Sequence, residues 1–391
     1  MNWKTLALGC SMMGLATVGC GTSPPARDSG LPVDDGGAPV TRTYVIGMID
    51  TEADDPNDAY GFNLDMADGN PVGMPAGGCQ DVMDYTSPVT MIHGVDNQLA
   101  GLAPTLDGLL GGDGVNGAIR AQIAAGKVLL MLEVSDINSF TNDPAIMVHA
   151  VLGQVSPAGA ACRAHTDMAS CAADTANMCT FTAGAMGAAG SCATSVAPMP
   201  SAACMAHADQ PSCDGDQANA CSWGAMAAAC SGIAAGQTFS VFTDLGTVSG
   251  SITAGQLSAT TDALPLSFAA MGRNITLTLH SVRFGGRITA TGITNGEFGA
   301  QILIAELMQT VMDLGFMIDI TTFVAPDMMP SAPGNMAACS AHADMASCTA
   351  DHTNRCAFTA GACVGAPAAA TCAALSAGMG YAAIAANLAA H

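Results

Sequence analysis

Three stretches of the chain carry the same cysteine spacing, and no other feature limits the fold as strongly. Residues 161–181 read ACRAHTDMASCAADTANMCTF, residues 203–223 read ACMAHADQPSCDGDQANACSW, and residues 338–358 read ACSAHADMASCTADHTNRCAF. The shared cysteines are Cys162, Cys171 and Cys179; Cys204, Cys213 and Cys221; and Cys339, Cys348 and Cys356. A fourth follows at variable distance, as Cys192, Cys230 and either Cys363 or Cys372. Recurrence inside one chain marks each copy as a structural unit. A unit of about 30 residues, built mostly from Ala, Ser, Thr and Gly, buries too little apolar surface to offset its ordering entropy. Two disulfides would each contribute roughly 2–4 kcal/mol by constraining the unfolded chain. Asp167, Asp209 and Asp344 stand where helix N-caps would, and Phe181, Trp223 and Phe358 supply one large apolar side chain per copy.

Zinc is the competing reading. Each copy also fits Cys-x2-His-x5-Cys-x7-Cys, with His165, His207 and His342, and three thiolates plus an imidazole satisfy a tetrahedral ion. The fourth cysteine then has no role, so disulfides are the expectation, with the histidine at a helix end or on the surface. Setting aside Cys10 and Cys20, which lie in and at the end of the uncharged N-terminal run, 16 cysteines become an even 14. Four per module leave Cys79 and one of Cys363 or Cys372, which could pair with each other.

Over the whole chain, 32 acidic residues face 10 lysines and arginines, for a net charge of −22. Such a chain repels phosphate backbones, which excludes nucleic acid as a partner, and attracts cations. Between Arg42 and Arg120 there is no lysine or arginine. Asp50, Glu52, Asp54, Asp55, Asp58, Asp65 and Asp68 crowd into IDTEADDPNDAYGFNLDMADG there. Carboxylates this dense are either solvated or neutralised, and calcium takes six to eight such oxygens. These seven residues are therefore calcium candidates, although their spacing is not that of an EF-hand. A solvated acidic loop is the plainer alternative.

Thr43–Asp50, Lys127–Val134 and Ile146–Val155 read as strands, and residues 237–291 alternate Thr and Ser with apolar residues as half-buried antiparallel strands do. Helical spacing appears over Asp96–Leu110, over a segment capped by Asn116 and stopped by Gly126, and over Phe298–Leu314. One more strand is expected over Phe316–Ala325. The charge-free tail Val364–Ala390 is expected to pack on the core. The expectation is an α+β fold: a mainly antiparallel β core, a few packed helices, and disulfide modules inserted in its loops. The core divides into residues 42–160, 236–337 and 373–391, interrupted by modules at 161–235 and 338–372.

The first residues place Lys4 ahead of an uncharged run from Thr5 to Gly19, too short for a full membrane span. Thr17-Val18-Gly19-Cys20 resembles the lipobox of bacterial lipoproteins, although Thr17 stands where leucine is usual. The resemblance implies that residues 1–19 are a signal peptide and that Cys20 becomes a lipidated N-terminus. Residues 20–41, rich in Gly, Pro, Ser and Asp, then form a linker. It places the protein in the cell envelope, lipid-anchored and facing the periplasm or the exterior, where thiols oxidise.

Gly112–Gly117 matches GxGxxG but follows a helical pattern rather than a strand, so it reads as a turn. No GxSxG, HExxH or Walker sequence occurs. His93, with Asp84 and Asp96 nearby in sequence, is the one candidate general base, although a surface histidine is the plainer reading. Three functions follow: a non-enzymatic envelope lipoprotein with a binding or structural role toward a small ligand or envelope protein; a calcium-stabilised adhesion or carbohydrate-binding module; and an envelope hydrolase using carboxylates and His93.

Overall fold

Alternating side chains build the core. In the segment Thr238–Thr253, Leu245, Val248 and Ile252 are buried while Asp244, Thr247, Ser249 and Thr253 are exposed. In the next segment Leu257 and Ala259 are buried while Ser258 and Thr260 are exposed. A period of two puts one set on each face of a pleated strand. The computed structural model describes residues 38–313 except 52, 54, 56, 65–84, 102–106, 108–113, 183–189, 226 and 271–272. Beyond these it describes 327, 339–344, 347–348, 356–359, 362–365 and 372–389.

Eight strands close into a barrel. They are β1 (Val40–Asp50), β2 (Leu130–Ile137), β3 (Asp143–Val155), β4 (Thr238–Thr253), β5 (Gln256–Ala270), β6 (Arg273–Ile288), β7 (Gly292–Leu303) and β8 (Ala374–Leu388). Every strand pairs antiparallel with its neighbour in sequence, and β8 returns to pair with β1, so the barrel runs up and down with no free edge. Ala254 and Gly255, both at positive φ, form the two-residue turn between β4 and β5. At one mouth Thr238 and Phe239 of β4 also pair, in parallel, with Asn387 and Leu388 of β8. Strands on opposite sides of a ring meet only where that mouth is pinched shut.

One apolar cluster draws on all eight strands and fills the interior, including Tyr44, Leu132, Val148, Leu245, Leu257, Phe284, Phe298 and Tyr381. Phe284 and Phe298 meet edge to face with ring centres 5.1 Å apart, worth about 1 kcal/mol beyond their area. An eight-stranded barrel is just wide enough for side chains to fill in this way. A second cluster lies outside the barrel. There the outward Val45, Met131, Val151, Ala382 and Ile384 are covered by Ile123 of helix α1 (Gly114–Ala124) and by Ala220 and Ile233 of the second module.

The α+β expectation is corrected: the chain is mostly β, 49% strand against 20% helix, around one closed barrel. Two elements explain the error. Phe298–Leu303, read as the start of a helix, is the end of β7, because Phe298, Ala300 and Ile302 face the interior; the helix is α2 (Ile304–Asp313). Within the charge-free tail, Ala374–Leu388 is a full barrel strand, largely apolar on both faces because both are covered. Asn116 is a second correction. It lies inside α1, where its side chain accepts from Thr51 N and Oγ1 (2.9 and 2.7 Å) and donates to Asp50 (2.6 Å), tying the helix to the end of β1. Among the described residues no helix is long and apolar enough to cross a membrane. The segment expected as a strand at Phe316–Ala325 lies outside the described residues, as does most of Asp96–Leu110.

Modules one and two lie between β3 and β4, and module three between α2 and β8. Their cysteines pair first to third and second to fourth: Cys162–Cys179 and Cys171–Cys192, then Cys204–Cys221 and Cys213–Cys230. In module three Cys348 pairs with Cys363, and Cys339 and Cys372 are also disulfide-bonded. Asp167, Asp209 and Asp344 do cap, accepting from the backbone N–H of Ser170, Ser212 and Ser347 at 2.8–2.9 Å. Phe181 and Trp223 pack on the sulfur clusters.

Candidate functional site

The outward face of β6, β7 and β8 lacks side chains where a neighbour needs room. A Cβ at Gly378 would stand 2.0 Å from the carbonyl oxygen of Tyr60, and one at Gly380 would meet the Tyr60 ring at 2.7 Å. Cβ atoms at Gly285 and Gly299 would meet the Phe62 ring at 3.0 and 2.8 Å. These four glycines form a flat bed, and residues 57–64 lie across it as a strap. Ala59 and Leu64 are buried, with the Tyr60 and Phe62 rings set against the glycines.

The strap closes over a seam of polar groups. Glu297, on β7, is buried and accepts from Ser87 Oγ at 2.7 Å and from Gly61 N at 3.4 Å. Loss of solvent pushes its carboxyl above the usual glutamate range, although both hydrogen bonds pull the other way. Asn97 donates to the carbonyls of Tyr60 (2.8 Å) and Gly378 (3.1 Å), stitching strap to β8. Ser376 Oγ accepts from Gln98 N at 2.8 Å and donates to Asp327. Asp96 accepts from Leu64 N at 2.6 Å, and Arg283 donates to the carbonyl of Asn63 at 3.0 Å. Where β7 ends, the backbone N–H of Thr278 donates to Glu306 of α2 (3.0 Å), whose other oxygen faces His280 Nε2 at 3.4 Å. Between His280 and Ser376 in register stands Gln301, 1% exposed, with neither amide atom hydrogen-bonded.

Chemically the seam is a fastening. Glu297, Asp96 and Asn97 are engaged with backbone groups of the strap, and the hydroxyls of Ser87 and Ser376 are buried beneath covering chain. A second polar constellation lies on the open outer face of β2, β3 and β4. There His149 stands between Glu133 (3.4 Å) and Asp244 (2.9 Å). Partial burial lowers the imidazole's affinity for its proton, but the two carboxylates outweigh that and hold its pKa above the ordinary value.

The sites expected from sequence fare unevenly. His93 bonds Thr86 Oγ1 at 2.8 Å; Asp96 is turned to Leu64, and Asp84 lies outside the described residues. Of the calcium candidates, Asp50 is bonded to Asn116, Asp55 accepts from Asn57 at 2.8–2.9 Å, and Asp58 bridges to Thr86 through its backbone. Among the described residues these three do not converge on one point. Glu52, Asp54, Asp65 and Asp68 lie outside those residues, as do Cys20 and Cys79. The zinc reading of modules one and two gives way to the disulfides, because their sulfurs are joined to one another. The module histidines hold a turn: His165 bonds Asp174 (3.1 Å) and His207 bonds Asp216 (2.9 Å). Those aspartates also receive the side chains of Asn177 and Asn219. Of the expected turn at Gly112–Gly117, residues 112 and 113 lie outside the described residues, and Gly114–Gly117 are instead the first turn of α1, where Gly114 takes a positive φ and Val115 N donates to Asp107.

Sequence reasoning missed Glu297, Ser87, Asn97, Ser376 and Gln301. The available signal was the glycine pair at alternate positions 378 and 380, and an acid and an amide, Glu297 and Gln301, in the otherwise apolar run Gly296–Leu303. Comparison with family models, with curated proteins and with solved structures finds no match to this chain.

Proposed function

We propose that the chain is a non-enzymatic lipoprotein of the cell envelope, held to a membrane by a lipid on Cys20, with a binding or structural role. The observation that carries this reading is the set of paired cysteines in the three repeated modules, which an oxidising compartment sustains and a reducing cytosol does not. The lipobox-like Thr17–Cys20 adds the anchor. The outward rows of β4 and β5 support a barrel bathed in water: they carry Thr, Ser and Asp where a membrane-spanning barrel carries an apolar band. A polar seam closed under a strap supports a scaffold role rather than turnover. Cys372 is disulfide-bonded, and if Cys339 follows the repeat to Cys356, arithmetic leaves Cys79 as its partner.

The test is the intact mass of the native protein taken from membranes, before and after alkylation under denaturing conditions. The expected result is loss of residues 1–19, added acyl mass on Cys20 and no alkylated cysteine. An unmodified N-terminus with many alkylated thiols would overturn the reading.

A further inference from the structure

The hairpin that carries Ser87 ends in an apolar tip. Residues 87–92 read Ser-Pro-Val-Thr-Met-Ile, without a charge. Met91 is 70% exposed and Ile92 is 60% exposed. The other exposed large apolar side chains among the described residues are all methionines, none next to Ile92 but Met91. Single exposed apolar residues are ordinary, but an adjacent pair at a turn is better explained by a surface it meets.

The tip is also held rigidly. Ser87 Oγ accepts from Val89 N (3.1 Å) and Thr90 N (2.9 Å) while donating to the buried Glu297. The backbone closes with Ser87 N to Ile92 O and Met91 N to Ser87 O, both 2.9 Å. Met91 sits at φ 57°, a left-handed conformation unfavourable for a residue with a Cβ. Strain and a buried carboxylate thus serve to hold two apolar side chains out in water.

We propose that residues 88–92 are a membrane-contacting tip, inserting Val89, Met91 and Ile92 into the interface of a zwitterionic bilayer as a second attachment beside the lipid on Cys20. A convex tip fits no small ligand; it enters a softer surface. With a net charge of −22 and no lysine or arginine between Arg42 and Arg120, the chain is repelled by anionic head groups, so the surface is uncharged. Reach allows both attachments. Glu297, under the tip, is level through Gly380 with Asp50, so the tip lies one strand length, about 36 Å, from Val40. The chain from Cys20 to Val40 extends to at most about 70 Å. The two-point geometry rests on the lipoprotein reading, whereas the tip's own affinity does not.

The chain from residue 20 with Cys20→Ser, and therefore without lipid, is mixed with phosphatidylcholine vesicles and sedimented. It is expected to partition onto them, more weakly when phosphatidylglycerol is added. Met91→Asp/Ile92→Asp is expected to lose about tenfold or more in partitioning, whereas Met147→Asp, on the open face, loses little. Equal partitioning of the tip variant and its parent, or a parent that ignores vesicles and so points to a protein partner, would overturn the proposal. Absence of acyl mass on native Cys20 would refute the anchor and leave this result standing.

Discussion

The two sides of the barrel wall solve the same problem differently. On the open side, the outward positions of β4 and β5 carry Thr247, Ser249, Ser258 and Thr260, side chains that keep a pleated surface wet. On the covered side, β6, β7 and β8 present Gly285, Gly299, Gly378 and Gly380, and the strap lies directly on their backbone. Small residues leave backbone and apolar surface that only another segment of chain can cover. The open side is therefore finished by its own strands. The covered side is finished by residues tens to hundreds of positions away.

Substitutions that refill the bed should break this difference most sharply. Gly378→Val has no room beside Tyr60, so unfolding titrations should show a loss of about 3 kcal/mol or more. Ser249→Val on the open side should change stability by about 0.5 kcal/mol or less. A comparable loss on both sides would mean that the strap does not depend on the glycines. The second module covers β1 and β8 by setting Ala220 against Gly47, and its own hold is the sulfur link. Cys204→Ser/Cys221→Ser should cost about 2–3 kcal/mol by calorimetry or denaturant, and should loosen α1 and β1 along with the module.

The sides should also answer differently to pH. Glu297 has a raised pKa in the folded chain, so its contribution is present below the unfolded glutamate value of about 4.5 and is lost as pH rises through the folded value. Glu297→Gln keeps an acceptor for Ser87 and should melt higher than the parent at neutral pH, with no gain at pH 4. His149 is likewise raised: its contribution is complete below about 6.5 and fades as pH rises through the folded value. Because Asp244 is well exposed, that effect is under about 1 kcal/mol, and His149→Gln should flatten only the upper limb of a stability–pH curve. A single limb, unaltered by either substitution, would show that neither group titrates as placed.

The open side was legible in the sequence because alternation writes itself into the residues, and Thr43–Asp50 and residues 237–291 are strands as their pattern implies. The modules were legible for another reason: identical spacing in three copies exposes the paired cysteines and the capping aspartates. The covered side was hidden. Where both faces of a strand are buried, as in Ala374–Leu388, alternation vanishes and a strand resembles any apolar run. Phe298–Leu303 carried helical and strand spacing together, and only pairing with β6 and β8 decides between them. The strap was obscured by its own acids. Asp58 within it and Asp65 just beyond it drew attention to cations, while Tyr60, Gly61 and Phe62 between those charges carry the packing.

Native-state hydrogen exchange along residues 58–64 tests the covered side most directly. Held to β7 and β8 by Asn97, Glu297 and the glycine bed, the bonded amides Ala59, Gly61 and Leu64 should exchange as slowly as those of β8, through the same global opening. Exchange of these amides at the rate of an open surface loop, while β8 stays protected, would contradict a strap that completes the barrel.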